Sequence, residues 1–291
     1  DAGVEATIRC NFREVAIFFC DVKDMKELCE GMEPHDVLQL MDTVLGTIYQ
    51  CLEDKGGVML EFIGDEVLAV FNAPQPLQSY TRSAVKAALH CVRCLEEMQW
   101  IARTCTGTRI VGNVHLQCSV HKARVLVGNL GSPTRMKYGM LGDGVNLAAR
   151  LKSLNTRYGT QVLVSSDVLD LNGTKDLFVT RPIGNLILKG RTTPTRTLEV
   201  LQESRWADEK LVAGADLFTQ AFASFKGRKF AEAKERFLKA SSLINSSQTL
   251  VKQESERDLV AENLVRLCDE YLLTPPPDDW DGAEKLGKKV W

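Results

Sequence analysis

Three carboxylates crowd one apolar stretch, "MLEFIGDEVLAVF" at residues 59–71: Glu61, Asp65 and Glu66. Gly64-Asp65 alone reads as a tight turn, since turns favour both residue types for backbone reasons. A fourth acid, Asp21, closes the apolar run "VAIFFC" at residues 15–20. Carboxylates gathered at strand ends suit a hard divalent cation such as magnesium, which takes oxygen ligands. Further on, Asn146 and Arg150 are four residues apart in "DGVNLAARLKSL" and project from one helical face. On spacing alone they read as an exposed, solvated pair. Lys189 lies in "LILKGR".

The elements that must position these groups follow from the pattern of apolar residues. Residues 15–20 form a short, continuous apolar run and read as a buried strand. A helix starts near Pro34, with Val37, Met41, Val44, Leu45, Ile48 and Leu52 at helical spacing, and Gly56-Gly57 ends it. Strands at 58–62 and 67–71, a helix at about 78–104 and a strand hairpin at 113–121 and 124–130 follow. The order strand, helix, strand, strand, helix, strand is the split βαβ, ferredoxin-like plan, an α+β fold. In that plan the first strand lies antiparallel beside the third, which brings Asp21 to Asp65. Two such carboxylates are costly together unless a cation lies between them. A helix at 143–158, a strand at 161–164 and a strand-rich stretch at 177–201 complete the domain.

Near Arg205 the character changes. Phe218, Phe222, Phe225, Phe230 and Phe237 fall on two short helices, with a third expected at 253–271. The pair resembles one tetratricopeptide-type repeat, which cannot bury its own apolar face and must pack on something else. The expected division is a linker at 1–12, a main domain at 13–203 and a small helical appendage at 204–291.

Composition narrows the function classes. Across 291 residues, 44% hydrophobic and 25% charged content are those of a globular domain with an appendage. A net charge of -2 argues against a dedicated nucleic-acid binder. No apolar stretch approaches bilayer length, so no membrane contact is expected of this segment. Nine scattered cysteines read as reduced core residues of a cytoplasmic compartment, including the Cys91-Cys94 pair. His35, His90, His115 and His121 show no ligand spacing. Because the sequence starts at Asp1 without methionine, a piece of a longer polypeptide is expected.

Four segments in order, "AIFFCDV", "EFIGDEVLAVF", "YGMLGDGVNLAARL" and "LKGR", resemble the class III nucleotide cyclase catalytic domain over residues 14–201. The resemblance implies that Asp21, Asp65 and the carbonyl of Val22 bind two divalent ions, magnesium or manganese. It makes Arg150 the residue that stabilises the pentavalent transition state, Asn146 the one that orients the ribose, and Lys189 a holder of terminal phosphates. It also implies a site shared across a homodimer, or a heterodimer with a related domain. The metal aspartates then come from one chain, and Glu61, Asn146, Arg150 and Lys189 from the other.

Within that resemblance Glu61 points to GTP. Adenylyl cyclases of the family carry lysine four residues before the second metal aspartate, and guanylyl cyclases carry glutamate. A carboxylate only accepts hydrogen bonds, which suits the donors at guanine N1 and its 2-amino group. The second base-reading position is Gly139, which has no side chain to offer either base. Two departures from the family pattern stand out. "DVKDMK" has Asp24 and Met25 where the phosphate loop has glycine and phenylalanine, and "SVHKAR" has Ser119 and Ala123 for glycines. Arg124 falls where some members contact phosphate. The expected function is conversion of GTP to cyclic GMP and pyrophosphate. The alternatives are cyclic AMP formation from ATP and a non-catalytic dimerisation module.

Overall fold

The computed structural model describes residues 9–103, 109–132, 134–171, 173–188, 192–248 and 257–285. The chain forms two compact units, residues 1–152 and 153–291.

The first unit contains β1 (Cys10–Val22), a one-turn α1 (Met25–Leu28), α2 (Pro34–Glu53), β2 (Gly57–Ile63), β3 (Glu66–Phe71) and α3 (Tyr80–Glu96). Next come β4 (Gln99–Arg103), β5 (Arg109–Asn113), β6 (Leu116–Ser132) and β7 (Arg135–Leu141), then most of α4 (Asp143–Tyr158). Its main sheet runs β6-β1-β3-β2, with β7 also on β6, and every pairing named is antiparallel. This is the ferredoxin-like order expected from the sequence. Pro34 does sit in the first turn of α2, where its missing N–H costs nothing.

All of residues 15–20 are buried, so β1 is covered on both faces. Alternate residues of a strand point to opposite faces. Val15, Ile17 and Phe19 therefore share one face, where they pack with Val70, Val125 and Ala148 of α4. The other face of the sheet meets α3, which packs on β1 and β6. Asp21 continues the odd-numbered series, so its side chain leaves the sheet on the α4 side. Gly144 is what lets α4 sit so low: a Cβ there would lie 2.3 Å from that of Ala123 on β6.

Three expectations need correction. The second long helix ends at Glu96, and residues 99–103 are a strand paired with β5. The Trp, Ile, Thr and Val content around it suits a strand better than a helix. The hairpin expected at 113–130 is one strand, β6, which stays paired to β1 through Glu14 and Arg124. Lys122-Ala123 falls at the expected turn, yet the strand runs through both residues without a break in pairing. The true hairpin partner is β7, a stretch to which the sequence pattern assigns no element.

In the second unit, α4 is followed by β8 (Val162–Ser165), β9 (Phe178–Ile187), β10 (Thr195–Glu203), α5 (Glu209–Lys226), α6 (Phe230–Asn245), α7 (Leu259–Leu273) and β11 (Ala283–Lys285). The strands run β11-β9-β10-β8. Helix α5 packs on β9, which answers where the apolar face of the helical region goes. Phe218 and Phe237 meet at 4.9 Å between ring centroids, and Phe225 touches Trp280 at 5.4 Å. Buried Arg181 of β9 binds both Glu199 of β10 and Asp258 at the start of α7, each at 2.6 Å. Strand β11, which the sequence did not suggest, adds in parallel to β9.

Candidate active site

The β2–β3 turn carries Gly64 at φ +62°, a left-handed conformation natural to glycine. Pairing of Cys20 with Val67 sets the ends of β1 and β3 side by side. The Val22 N–H donates to Asp65 Oδ2 at 2.9 Å, so Asp65 is held against the strand that bears Asp21. The two acids named from the sequence do converge.

Between Asp21 and the acid that follows Asp65 lies a lysine. Lys152 Nζ donates to Asp21 Oδ2 at 2.5 Å and to Glu66 Oε2 at 2.7 Å. Only 9% of the Lys152 side chain is exposed. Burial works against its charge, but the hydrogen bonds to Asp21 and Glu66 outweigh it and raise the ammonium's pKa. Burial also pushes the Asp21 carboxyl up, against the pull of Lys152, and the nearby Asp65 and Glu66 charges add to the rise. Asp21 Oδ1 is buried and has no hydrogen-bond partner among the described residues. A buried carboxylate oxygen without a partner is a costly state that a cation relieves. The donor set of Asp21, Asp65 and the Val22 carbonyl thus fits a hard divalent ion.

Sequence reasoning missed Lys152, although a signal was there. Leu147, Ala148, Leu151 and Asn155 of α4 are buried, and Lys152 falls on the same seam. A lysine on a buried helical face needs an acid opposite it. Asn146 is exposed and Arg150 half-buried. At about 100° per residue, Arg150 lies roughly 200° around the helix from Lys152. One helix therefore presents Lys152 to its own aspartates and Arg150 away from them.

A concavity of about 590 Å³ is lined by Leu60, Glu61, Leu68, Lys137, Gly139 and Met140, among others. That volume is in the range of small-molecule sites. Glu61 and Gly139, the two positions read as base-facing, thus border one space. A β-bulge between Met59 and Glu61 sets the direction of Glu61. The Glu61 carboxylate is ion-paired with Lys137 of β7, a partner the sequence reading did not name. Both are partly exposed, at 38% and 63% of their side chains, so the pair contributes little to stability.

The remaining named residues lie apart. Arg124 pairs across from Glu14, near the far end of β1 from Asp21, and its guanidinium sits 5.4 Å from the centroid of the Phe12 ring. Lys189 lies outside the described residues. Asp24, in the altered phosphate loop, adopts φ +53° and ψ +36° and starts α1. It thus keeps the left-handed backbone that a glycine would supply. Cys94 and His90 of α3 face Cys51 of α2, with ligand atoms within 4.8 Å of one another. Cys51 is hydrogen-bonded to Cys91 and Cys94, which lowers its thiol to about 7.

The adenylate and guanylate cyclase catalytic domain family matches residues 9–200. The terminal-differentiation-specific adenylate cyclase of Dictyostelium discoideum is 31% identical over 195 residues, 66% of this chain and 9% of that protein. Adenylate cyclase 1 of Rhizobium meliloti is 30% identical over 189 residues, 65% of this chain and 28% of that protein. The chain thus spans less than a third of either relative. Among solved structures, the adenylyl cyclase CyaB from P. aeruginosa aligns with a TM-score of 0.57 at 23% identity, covering 68% of this chain and 98% of that one. The guanylate cyclase domain of RhGC from Catenaria anguillulae, in complex with GTP, aligns at 0.55 and 21% identity, covering 67% and 100%. At these identities the likeness is one of fold. The family match covers most of the chain and contains the converging aspartates, so this chain belongs to the adenylate and guanylate cyclase catalytic domain family.

Proposed function

We propose that the chain closes a purine nucleoside triphosphate into its 3′,5′-cyclic monophosphate with release of pyrophosphate, and that GTP is preferred to ATP. The observation that carries the reaction class is the convergence of Asp21 and Asp65, with one buried Asp21 oxygen left without a partner among the described residues. Asp21, Asp65 and the Val22 carbonyl would hold magnesium or manganese. When bound, such an ion acidifies the ribose 3′-hydroxyl and neutralises charge on the α-phosphate and pyrophosphate. Arg150, on the outward face of α4, stabilises the charge of the pentavalent transition state. Asn146, one turn earlier, orients the ribose. Lys189 holds the terminal phosphates, a task suited to a compact point charge. Arg124 offers the triphosphate a further positive contact. Catalysis of this kind is positioning and electrostatics, with little covalent work for the protein.

Arg150 and Lys152 diverge around α4, so the arginine of one chain is suited to serve the aspartates of another. A homodimer, or a heterodimer with a related domain, is the assembly that fits. Phe62 and Ile63, 57% and 74% exposed beside Glu61, give that contact apolar surface. A dimeric guanylyl cyclase domain from Blastocladiella emersonii is among the similar structures.

Base preference rests on Glu61 and Lys137. Guanine presents donors at N1 and the 2-amino group next to an acceptor at O6, and the carboxylate and ammonium match these three groups. Adenine, with one acceptor at N1 and one donor at N6, engages the same pair less fully. A second reading, ATP as substrate, draws support from the relatives named adenylate cyclases. Incubation of the purified chain with manganese and equimolar GTP and ATP separates the two. Cyclic GMP as the main product supports the first reading, and cyclic AMP as the main product overturns it in favour of the second.

A further inference from the structure

The carboxylate oxygens at the end of β1 and β3 are unequally engaged. Asp21 Oδ2 is taken by Lys152, and Asp65 Oδ2 accepts the Val22 N–H. What remains is Asp21 Oδ1, buried and without a hydrogen-bond partner among the described residues. With Lys152 on Oδ2, Asp21 has one oxygen left to offer an ion.

Lys152 is not a surface lysine that has drifted inward. It sits on the buried seam of α4 between Ala148 and Asn155, and Glu66 accepts a second hydrogen bond from its Nζ at 2.7 Å. The cation thus has two anionic partners on two different strands, Asp21 on β1 and Glu66 on β3. Glu66 directly follows Asp65, so the same turn that aims a metal ligand also anchors the lysine.

We propose that Lys152 is an internal cation that occupies one of the two cation positions at the aspartate pair, so that the chain takes up a single divalent ion there. The ammonium neutralises one unit of the acids' charge permanently, and like charges repel at this range by amounts that matter even at high effective dielectric. Glu66 serves as the positioning residue that keeps Lys152 in place. This inference rests on the reading of Asp21 and Asp65 as metal ligands.

The test is a titration of the nucleotide-free chain with manganese alone, with bound ions counted by loss of the free-ion paramagnetic resonance signal. Wild type, K152Q, K152R and D65N are compared. One ion per chain in wild type and K152R, two in K152Q, and loss of the wild-type ion in D65N is the expected result. Two ions in wild type overturn the proposal, and that result does not depend on whether K152Q folds. Equal counts in wild type and K152Q overturn it as well. A wild-type ion retained in D65N lies elsewhere; that outcome sinks the metal reading of the aspartates and the role of Lys152 with it.

Discussion

Lys152 and Asp21 are 131 residues apart in sequence and meet at 2.5 Å. The contact ties α4 to the end of β1, and it places a fixed positive charge where two acids converge. The sequence argument holds that two carboxylates at strand ends need a cation between them. Lys152, on the helix that also carries Asn146 and Arg150, supplies one to Asp21 and to Glu66, the neighbour of Asp65.

Lys137 is expected to separate stability from selectivity. Its pair with Glu61 is partly exposed, so Lys137→Met should change unfolding free energy by less than about 1 kcal/mol. If its ammonium reads guanine O6, the ratio of GTP to ATP turnover should fall about fivefold, corresponding to ~1 kcal/mol. Steady-state rates with each nucleotide, beside a urea melt, measure both. An unchanged ratio would make the pair a surface contact only.

Asp24 holds a left-handed backbone at φ +53° that costs a side-chain-bearing residue about 1–2 kcal/mol. Asp24→Gly removes that cost but adds flexibility to the unfolded chain, about 0.5–1 kcal/mol. The net expectation is a small gain in thermal stability. Asp24→Val, whose branched side chain fits this conformation badly, should lower the melting temperature clearly. A melting temperature for Asp24→Val at or above that of the native chain would contradict the backbone assignment.

How much of this was legible in the sequence differs by residue. The apolar run at 15–20, the Gly64-Asp65 turn and the α4 bounds of 143 and 158 could all be read, because burial and helical period leave direct marks in local sequence. Strand β7 could not, since "RMKYGML" gains its strand character from pairing with β6 rather than from its own alternation. Lys152 was legible in part. Its place on the buried seam of α4 could be counted out, but the acids it meets are set by sheet register across more than a hundred residues. The ion pair of Glu61 with Lys137 likewise depends on where β7 falls, and β7 was not foreseen.

Gly144 tests the docking of α4. An added Cβ would lie 2.3 Å from the Ala123 Cβ, so Gly144→Ala should destabilise the first unit by roughly 1–3 kcal/mol. Ala123→Gly in the same chain should restore part of that loss. Denaturant melts of the single and double variants read the coupling, and simple additivity would place the helix elsewhere.

The Arg181 cluster predicts a pH dependence of stability in the second unit. Although burial opposes it, the Arg181 guanidinium holds the Asp258 carboxyl below its ordinary value of 3.8. The folded state therefore binds this proton less tightly than the unfolded state. The resulting stability is present above pH 3.8 and is lost as pH falls through the folded value. Glu199 has the opposite sign, because burial pushes its carboxyl up in spite of Arg181. Asp258→Asn should remove the Asp258 part of the acid loss and, by leaving Arg181 short of one partner, cost about 3–5 kcal/mol at neutral pH. Urea melts from pH 3 to 7 check both effects (the acid limb and the neutral-pH loss).

The central claim is that Asp21 and Asp65 together make a site for cation-assisted nucleotide cyclisation. Its most direct test is the rate of cyclic nucleotide formation with manganese by the wild-type chain and by Asp65→Asn. Loss of several kcal/mol of transition-state stabilisation corresponds to a fall of about a thousandfold, and that is the expected result. A wild-type chain that forms no cyclic product with either GTP or ATP, or an Asp65→Asn chain as active as the wild type, would contradict it.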